Sequence, residues 1–376
     1  MELTGGLASY LERAVAEGGS GNAPVVHDLE DAFAAFAGAQ FALCVASGTS
    51  ALIAACHAVG VRPGDLVGVS ALGPVMSGQA VVALGARPVF LDSRASSSFG
   101  VSADSAARAI DRGIKAVILV PMWGYWDEQP DSLALFRDSG VPVIVDAAQA
   151  PFLKLDGGLV NHAAVVCLSL HGRKPLHAGE GGVCLTNDRQ YAERIVAIRN
   201  FGQDAALESG HLVPSGPFGA RTGVNMKMNA LGAAWCLYQM DHLGPLRDRF
   251  DQLRRRALEA FGTSDAAWRE ASLAGTVTEH GRYGLVAICD SIHDARRLTQ
   301  ALAAHGIEVD TKRYKYQPMY SAPCFQIPGE RCEMAEQLTQ VAVACRLEVF
   351  ARFLPPEHTA AEQAARTARA QRQAQG

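Results

Sequence analysis

The sequence predicts an α/β protein with a mainly parallel sheet, helices on both faces of that sheet, and a smaller C-terminal α/β domain. Two observations support this prediction. From about residue 40 onward, short apolar runs alternate with helical patterns, which is typical of strands joined by crossover helices. The apolar runs are continuous rather than alternating, as expected for strands that are covered on both faces.

Seven apolar runs are the predicted strands of the first domain. Between them, apolar residues recur at helical spacing, as in residues 49–60 and 77–86, so we expect helices there. The predicted strand segments are 41–48, 65–72, 86–92, 114–122, 141–149, 163–170 and 181–187.

The residue pattern changes near residue 229, where a long predicted helical stretch begins. This stretch is interrupted around Gly244–Pro245. A predicted strand and a predicted helix follow this stretch, which indicates a second, smaller unit. We therefore predict a large domain over residues 1–245, including an N-terminal segment, and a small domain over residues 246–376. The alanine- and glutamine-rich end of the small domain is predicted to be a helical or frayed tail.

Composition and charge exclude several classes of function. The 376-residue chain carries a net charge of −4, so neither a nucleic-acid partner nor a membrane surface is expected. No apolar run approaches the roughly 18–20 residues that cross a bilayer, and the N-terminus lacks the pattern of a signal peptide, which predicts a cytoplasmic protein. The nine cysteines include no Cys-x-x-Cys pair, so we expect buried, reduced thiols and no metal site.

The first candidate site residues are Ser47, Gly48 and Thr49, where a predicted strand passes into a predicted helix. Backbone N–H groups at the start of a helix are unpaired, and the helix dipole adds partial positive charge there. Small residues let a phosphate approach these groups, and the hydroxyls add donors. The same pattern is typical of an ordinary helix N-cap, so both interpretations stay open.

Two further candidates, Asp146 and Lys174, lie at or just after the ends of predicted buried strands. Ligands bind at the carboxyl edge of open α/β sheets, where a buried carboxylate needs a cationic partner; a helix N-cap is the alternative role for Asp146. Lys174, five residues after Ser169, either points to solvent or presents a desolvated amine to an aldehyde cofactor. A phosphate seat, an acid for a pyridinium nitrogen and a lysine, in that order, are what pyridoxal 5′-phosphate (PLP) requires.

The chain resembles the DegT/DnrJ/EryC1/StrS aminotransferases in the order of its segments, which are SGTSAL, GARPVFLD, VDAAQ, SLHGRKPLHAGEGG and GVNMKMNALGAA. These are PLP enzymes of fold type I, which is the fold of aspartate aminotransferase. The match runs from about Val25 to the segment YKYQPMYSAPCF at 314–325. Its most specific marker is the Ser-x-x-x-x-Lys element followed by Gly-Glu-Gly-Gly.

The resemblance implies a role for each matching residue. Lys174 is expected to hold the PLP aldehyde, Asp146 to contact the pyridine nitrogen, and Gln149 to contact the ring hydroxyl. Asn225 is expected to reach the phosphate of the neighbouring subunit's cofactor, so a homodimer with shared active sites is implied. Within the subunit, the residues expected to hold the phosphate through backbone or hydroxyl donors are Ser47, Gly48, Thr49 and Ser169.

The chain departs from the family near the expected cofactor. Pro74 stands where an aromatic residue normally stacks on the ring, and proline cannot supply the roughly 0.5–1.5 kcal/mol of offset stacking. Either Pro74 covers the ring alone, or an aromatic residue such as Trp123 or Trp126 takes over. His171 and His177 flank the predicted cofactor lysine, and catalytic and purely structural roles stay open for both. Altered substrate choice is favoured over lost chemistry.

The predicted function is a PLP-dependent aminotransferase that moves an amino group from glutamine or glutamate to a keto-cyclitol or keto-sugar. The run GRKPLHAGEGG is more similar to the aminocyclitol (inosose) branch of the family, which is associated with antibiotic (aminoglycoside-type) biosynthesis. Two alternatives stay open: a PLP enzyme of the same fold that catalyses dehydration, epimerisation or decarboxylation, and a degenerate member without activity. Lys174 counts against the related dehydratases, in which histidine replaces this lysine.

Overall fold

The computed structural model describes residues 5–313, 316–325 and 331–353. Its longer strands are mostly apolar and buried along nearly their whole length, because helices cover both faces of the central sheet. In chain order the strands are β1 (Phe41–Val45), β2 (Leu66–Ser70), β3 (Arg87–Leu91), β4 (Ala116–Leu119), β5 (Val143–Asp146), β6 (Lys154–Leu155), β7 (Val165–Ser169), β8 (Gly182–Thr186), β9 (Asp204–Glu208), β10 (His211–Ser215), β11 (Trp268–Glu270), β12 (Val277–Glu279), β13 (Gly284–Cys289) and β14 (Ala342–Arg346).

Several helices begin at a side chain that accepts a hydrogen bond from the first turn, as Ser47, Ser102, Asp188, Asn229 and Ser291 do. None of the helices described is long and apolar enough to cross a membrane. The helices are α1 (Gly5–Ala16), α2 (Pro24–Ala37), α3 (Gly48–Ala58), α4 (Val75–Ala83), α5 (Ala103–Asp111), α6 (Pro130–Asp138), α7 (Arg189–Arg199), α8 (Ala230–Met240), α9 (Leu243–Phe261), α10 (Ile292–Ala304), α11 (Asp310–Arg313) and α12 (Glu333–Val341). Short 3₁₀ segments cover Met122–Gly124, Leu159–Asn161, Met319–Ser321, Pro323–Phe325 and Leu347–Phe353.

The central sheet has seven strands in the order β1-β8-β7-β5-β4-β2-β3. Strand β8 is antiparallel to both of its neighbours, and the remaining pairs are parallel. Each of the seven predicted strand segments contains one of these strands. The predicted α/β fold with a mainly parallel sheet is therefore confirmed.

Two apolar cores lie on the two faces of this sheet. Successive side chains of a strand point to opposite faces, and in β3 Val89 and Leu91 belong to one core while Phe90 belongs to the other. Strand β1 divides in the same way, with Leu43 in the second core and Cys44 in the first. Burial on both faces explains why the strands are continuous apolar runs.

The C-terminal part has its own antiparallel sheet, in the order β11-β13-β14. Strand β12 of the C-terminal part pairs with β6 of the N-terminal part. The two parts are therefore joined by this two-stranded sheet as well as by the chain. The predicted boundary between residues 245 and 246 falls within the first turn of α9, and the division into two domains stays a prediction. The predicted helical tail lies outside the described residues.

Two features differ from the sequence-based expectation. The long helical stretch breaks at Asp241 and His242, and Gly244–Pro245 lies within the first turn of α9. Proline is tolerated there because N–H groups in a first helical turn have no partner within the helix. The hairpin of β9 and β10, with Gly210 at a φ of 90° in its turn, has no counterpart among the predicted elements, because its strands are partly exposed and contain few apolar residues.

All nine cysteines fall within the described residues, and none of them forms a disulfide there. Eight of them are buried and Cys324 is exposed. Burial raises the pKa of the Cys56 thiol to about 12, which keeps it protonated and unreactive near neutral pH. The expected burial therefore holds for eight of the nine thiols, with Cys324 as the exception.

A buried ion pair joins helix α2 to strand β1 and helix α7. Arg199 Nη1 lies 2.6 Å from Glu30 Oε1 and donates to the backbone oxygen of Cys44 at 2.7 Å. The Cys44 N–H donates to the same Glu30 oxygen at 2.8 Å. Burial disfavours the ionised Glu30, but Arg199, His27 and the Cys44 N–H outweigh it and lower the pKa of this carboxyl. The Glu30 carboxylate is therefore held in its charged form, while Arg199 Nε is buried with no hydrogen-bond partner among the described residues.

Replacing Arg199 by leucine is expected to lower the free energy of unfolding by about 3–5 kcal/mol, because Glu30 is then buried without its cation. Chemical denaturation followed by circular dichroism measures this change. Arg189→Leu, which removes an exposed ion pair with Glu193, is the matched control and is expected to cost less than about 1 kcal/mol. Equal losses in the two variants would contradict the proposed role of the buried pair.

Candidate active site

The register of the central sheet brings three strand ends to one edge. Gly182, the first residue of β8, pairs with Val45 at the end of β1 and with Ser169 at the end of β7. Asp146, the last residue of β5, pairs with Cys167 of β7. Segments that leave these strand ends therefore lie side by side, although they are far apart in the sequence.

A cleft of about 660 Å³ lies at this edge. Residues of the small C-terminal sheet, among them Tyr283 and Arg346, form its opposite wall. Asn225 does not line the cleft of its own chain. The eight other predicted site residues do line it, namely Ser47, Gly48, Thr49, Pro74, Asp146, Gln149, Ser169 and Lys174.

The start of helix α3 forms one end of the cleft. The Ser47 hydroxyl accepts a hydrogen bond from the Ser50 N–H at 3.0 Å, which caps the helix. A Cβ built on Gly48 would lie 2.7 Å from the Ser169 Cβ, so only glycine lets the helix start this close to β7. With the hydroxyls of Thr49 and Ser169 beside it, this helix N-terminus has the donors and partial positive charge that a phosphate needs.

Asp146 lies on the floor of the cleft and is 2% exposed. Its Oδ2 accepts a hydrogen bond from the Ser77 hydroxyl at 2.6 Å, and its Oδ1 accepts one from the Ala148 N–H at 3.2 Å. Burial raises the pKa of this carboxyl, while the two hydrogen bonds and the positive charge of Lys174 oppose the rise. A cationic ligand group would complete its stabilisation as a carboxylate.

Lys174 belongs to a tight turn that follows β7, in which its N–H donates to the His171 carbonyl oxygen at 2.8 Å. Its Nζ lies 4.8 Å from the centroid of the Tyr283 ring, within the range of a cation–π contact. Burial lowers the pKa of the amine to about 8, against the opposing charge of Asp146. The amine is thus available in its neutral, nucleophilic form at a lower pH than an ordinary lysine.

Gln149 is held in one orientation by a residue with a rare backbone conformation. Its Oε1 accepts a hydrogen bond from the Trp123 N–H at 2.7 Å, which leaves the NH₂ group as the donor that it can offer to a ligand. Trp123 has a φ of 51°, uncommon for a bulky residue. Its ring packs edge-on against Tyr316, with centroids 4.8 Å apart, and it is only 4% exposed.

Trp123 and Trp126, the two aromatic residues considered as replacements for the usual stacking residue, occupy different places in the structure. Trp126 is buried in the first core and does not line the cleft, so the hypothesis that it covers the cofactor is wrong. Trp123 lines the cleft but offers little free ring surface. Pro74 lines the cleft just before α4. Of these three residues, Pro74 remains the one placed to cover a ring.

The two histidines around Lys174 have different surroundings. His171 lines the cleft, and its Nε2 lies 3.6 Å from Glu180 Oε1. His177 does not line the cleft and packs edge-on against Trp235, with centroids 4.6 Å apart. Burial lowers the pKa of His177, so this side chain is neutral and structural.

Sequence patterns did not single out several residues of the cleft. Ser77, which donates to Asp146, lies in the first turn of helix α4, three residues after Pro74. Hydroxyl residues are common at helix starts, so no local pattern marked it. Tyr283, Asp310 and Arg346 come from the small unit. No local pattern marks them, because their place in the cleft depends on how the two parts of the chain pack.

The residues present fit PLP. The cleft contains an anion-binding helix start, a buried carboxyl for a ring nitrogen, a carboxamide donor and a lysine amine with a lowered pKa. These groups match the phosphate, pyridine nitrogen, hydroxyl and aldehyde of that cofactor.

Comparison with known proteins gives relatives that act on sugars. A UDP-2-acetamido-2-deoxy-3-oxo-D-glucuronate aminotransferase of Pseudomonas aeruginosa is 34% identical over 220 residues, which is 58% of each chain. A UDP-N-acetyl-3-dehydro-α-D-glucosamine 3-aminotransferase of Acidithiobacillus ferrooxidans is 29% identical over 249 residues, or 66% of this chain and 61% of the relative. The aligned part thus spans less than two thirds of the length of these curated relatives.

Solved structures share the fold along nearly the whole chain. The crystal structure of 3-amino-5-hydroxybenzoic acid (AHBA) synthase has a TM-score of 0.78 at 23% identity and covers 96% of this chain and 94% of that one. A Streptococcus pneumoniae structure, described as the PLP form of a sugar aminotransferase, has a TM-score of 0.75 at 18% identity and covers 92% of both chains. At these identities the likeness shows the fold, and it confirms PLP fold type I.

The match to a family covers more of the chain than either curated relative does. Residues 7–351 match the DegT/DnrJ/EryC1/StrS aminotransferase family, whose members depend on PLP. The expected family and cofactor are therefore confirmed. The chain belongs to the DegT/DnrJ/EryC1/StrS aminotransferase family.

Proposed function

We propose that the protein is a PLP-dependent aminotransferase that moves an amino group from glutamine or glutamate to the ketone of a sugar or cyclitol. The observation that carries the proposal is one cleft shared by the start of α3, the Asp146 carboxyl and Lys174. When bound there, PLP supplies an aldehyde and an electron-withdrawing ring. Membership of an aminotransferase family supports the same activity.

The role of each residue follows from its surroundings. Lys174, with a pKa of about 8, can attack an aldehyde as a neutral amine and then move a proton to and from the substrate carbon. Asp146 stabilises a protonated ring nitrogen, because a buried carboxylate needs a cation. The NH₂ group of Gln149 donates to the ring hydroxyl. Thr49 and Ser169 assist the α3 N-terminus in holding the phosphate.

The proposed acceptor is a class of molecule, namely keto-sugars and keto-cyclitols. The names of the two curated relatives describe nucleotide-linked keto-sugars, whereas the run GRKPLHAGEGG is more similar to the cyclitol branch of the family and favours an antibiotic-type pathway. Both acceptors carry a ketone on a hydroxylated six-membered ring. The lack of a disulfide among the nine cysteines of the described residues supports a reducing compartment such as the cytoplasm.

We place Asn225 in the active site of a second subunit. It is exposed, lies outside its own cleft, and is bridged to Asn200. Three apolar side chains in this part of the chain are strongly exposed, Phe201 at 43%, Phe218 at 72% and Val224 at 47%. Exposed apolar patches of this kind are typical of protein interfaces. A homodimer would cover them and bring Asn225 to the partner's phosphate.

The covalent attachment of PLP to the protein without cofactor is expected to depend on pH through Lys174. Its pKa of about 8 predicts a rate that rises about tenfold per pH unit below pH 8 and levels off above it. Stopped-flow absorbance after mixing with PLP measures the rate, with N-acetyl-lysine as the unperturbed control. A rate that still rises steeply between pH 9 and 10 would contradict the lowered pKa.

Replacing Lys174 by alanine is expected to abolish both covalent PLP binding and turnover. The wild-type protein should show an absorbance band near ~410–430 nm when PLP is attached to a lysine, and the variant should lack it. Transfer of a ¹⁵N-labelled amino group from glutamine to a keto-cyclitol or keto-sugar measures activity. Lys154→Ala, at an exposed lysine near Glu279, serves as the control. A Lys174→Ala protein that transfers label at the wild-type rate refutes the assignment.

Mixing two defective proteins tests the shared site. Lys174→Ala lacks the amine and Asn225→Ala lacks the proposed phosphate donor, so a hybrid dimer keeps one site with both residues intact. Unfolding and refolding the two variants together is expected to give more activity than either gives alone. The absence of any gain, with dimers confirmed by light scattering, would place Asn225 in its own subunit's site or outside both.

A further inference from the structure

Arg173 is a cation that lines the cleft and has no role in the function proposed above. Three cationic side chains, Arg173, Lys174 and Arg346, line the cleft. The amine of Lys174 has its proposed reaction with an aldehyde, and Arg346 Nε lies 3.2 Å from Asp310 Oδ2. Among the described residues, no carboxylate lies within ion-pair distance of the exposed Arg173 guanidinium.

A rigid turn fixes the position of Arg173. The Arg173 N–H donates to His171 Nδ1 at 3.2 Å, and the Gly172 N–H donates to the Gly179 carbonyl oxygen at 2.7 Å. The next N–H, of Lys174, closes the turn on the His171 carbonyl. The backbone of Arg173 is therefore held at the floor of the cleft. Its guanidinium belongs to the residue directly before Lys174, whose amine is proposed to react.

The other anions of the site already have partners. The nearby carboxylate of Glu180 faces His171 at 3.6 Å, and Asp146 accepts hydrogen bonds from Ser77 and Ala148. The phosphate has the α3 N-terminus and the Ser169 hydroxyl. An unpaired guanidinium beside Lys174 thus fits an anion that arrives with the substrate.

We propose that Arg173 is a specificity-determining residue that binds the α-carboxylate of the amino-acid donor; the inference rests on the proposed function. This carboxylate is bonded directly to the α-carbon, whose proton Lys174 is proposed to move. It therefore lies close to the lysine amine. A guanidinium binds a carboxylate with two parallel hydrogen bonds, which fixes orientation as well as charge. In a keto-cyclitol or a nucleotide-linked keto-sugar no carboxylate is bonded to the ketone carbon, so the acceptor presents no anion at this position.

Steady-state kinetics of the holoenzyme test the proposal. Arg173→Gln is expected to raise the KM for glutamine or glutamate about 10- to 100-fold, the loss expected for charged hydrogen bonds, with the acceptor KM changed less than about twofold. Arg173→Lys should recover part of the loss, since it keeps the charge without the two-pronged geometry. Arg189→Gln, at an arginine just beyond the far end of β8, is the charge-matched control and should behave as wild type.

A binding measurement separates this proposal from the proposed function. Succinate, an unreactive dicarboxylate, is titrated into wild-type and variant holoenzyme by calorimetry, and its Kd should rise in Arg173→Gln by a similar factor. PLP affinity of the cofactor-free protein is measured in parallel. An unchanged succinate Kd and donor KM, or a loss confined to PLP affinity or to the acceptor KM, would overturn the proposal. A wild-type protein that binds succinate through Arg173 but transfers no amino group would refute only the proposed function.

Discussion

The close contact between the start of helix α3 and the ends of strands β7 and β8 is the constraint on which the candidate site depends. Two glycines make it possible: a Cβ on Gly48 would lie 2.7 Å from the Ser169 Cβ, and one on Gly182 would lie 2.4 Å from the Ser47 carbonyl oxygen. Gly182 is also the residue that pairs with the ends of both neighbouring strands. The proposed phosphate seat and the lysine turn therefore adjoin the same point of the sheet.

Burial then shifts the pKa values of the two ionisable groups on the floor of the cleft in opposite directions. Removal from water disfavours charge, so it raises the pKa of Asp146 and lowers that of Lys174. Each group partly opposes the shift of the other. An acid that favours a cationic ligand and an amine that is readily neutral follow from a single physical cause.

The departures from the family pattern lie on the wall of the cleft and not on its floor. Trp123 adopts its uncommon backbone conformation against Gly284, where a Cβ would lie 2.9 Å from the indole Cδ1. Gly124 and Gly281 approach each other in the same way, with a Cβ on Gly281 2.7 Å from the Gly124 Cα. The segment Trp123–Gly124 and the glycines Gly281 and Gly284 of the C-terminal part therefore depend on one another. Changes of this kind alter the shape of the wall and leave the floor charges in place, which fits a change of substrate within one chemistry.

The sequence by itself determined the central sheet and the floor of the site. Continuous apolar runs mark strands buried on both faces, and the residues that follow them, Gly48, Asp146 and Lys174, carry local signals because strand ends and turns restrict residue type. It also indicated a second unit, although it placed the helix break at Gly244–Pro245 and not at Asp241–His242. It showed no sign of the β9–β10 hairpin, whose pairing depends on few apolar residues.

Only the tertiary structure decided which side chains from the rest of the chain reach the floor. It placed Trp123 on the wall and Trp126 in the core, brought Tyr283 to the Lys174 amine, and set Asp310 beside Arg346. These outcomes depend on how the small antiparallel sheet packs against the large one. No periodicity or spacing within a single segment encodes a contact between residues dozens of positions apart, such as Asp310 and Arg346 or Lys174 and Tyr283.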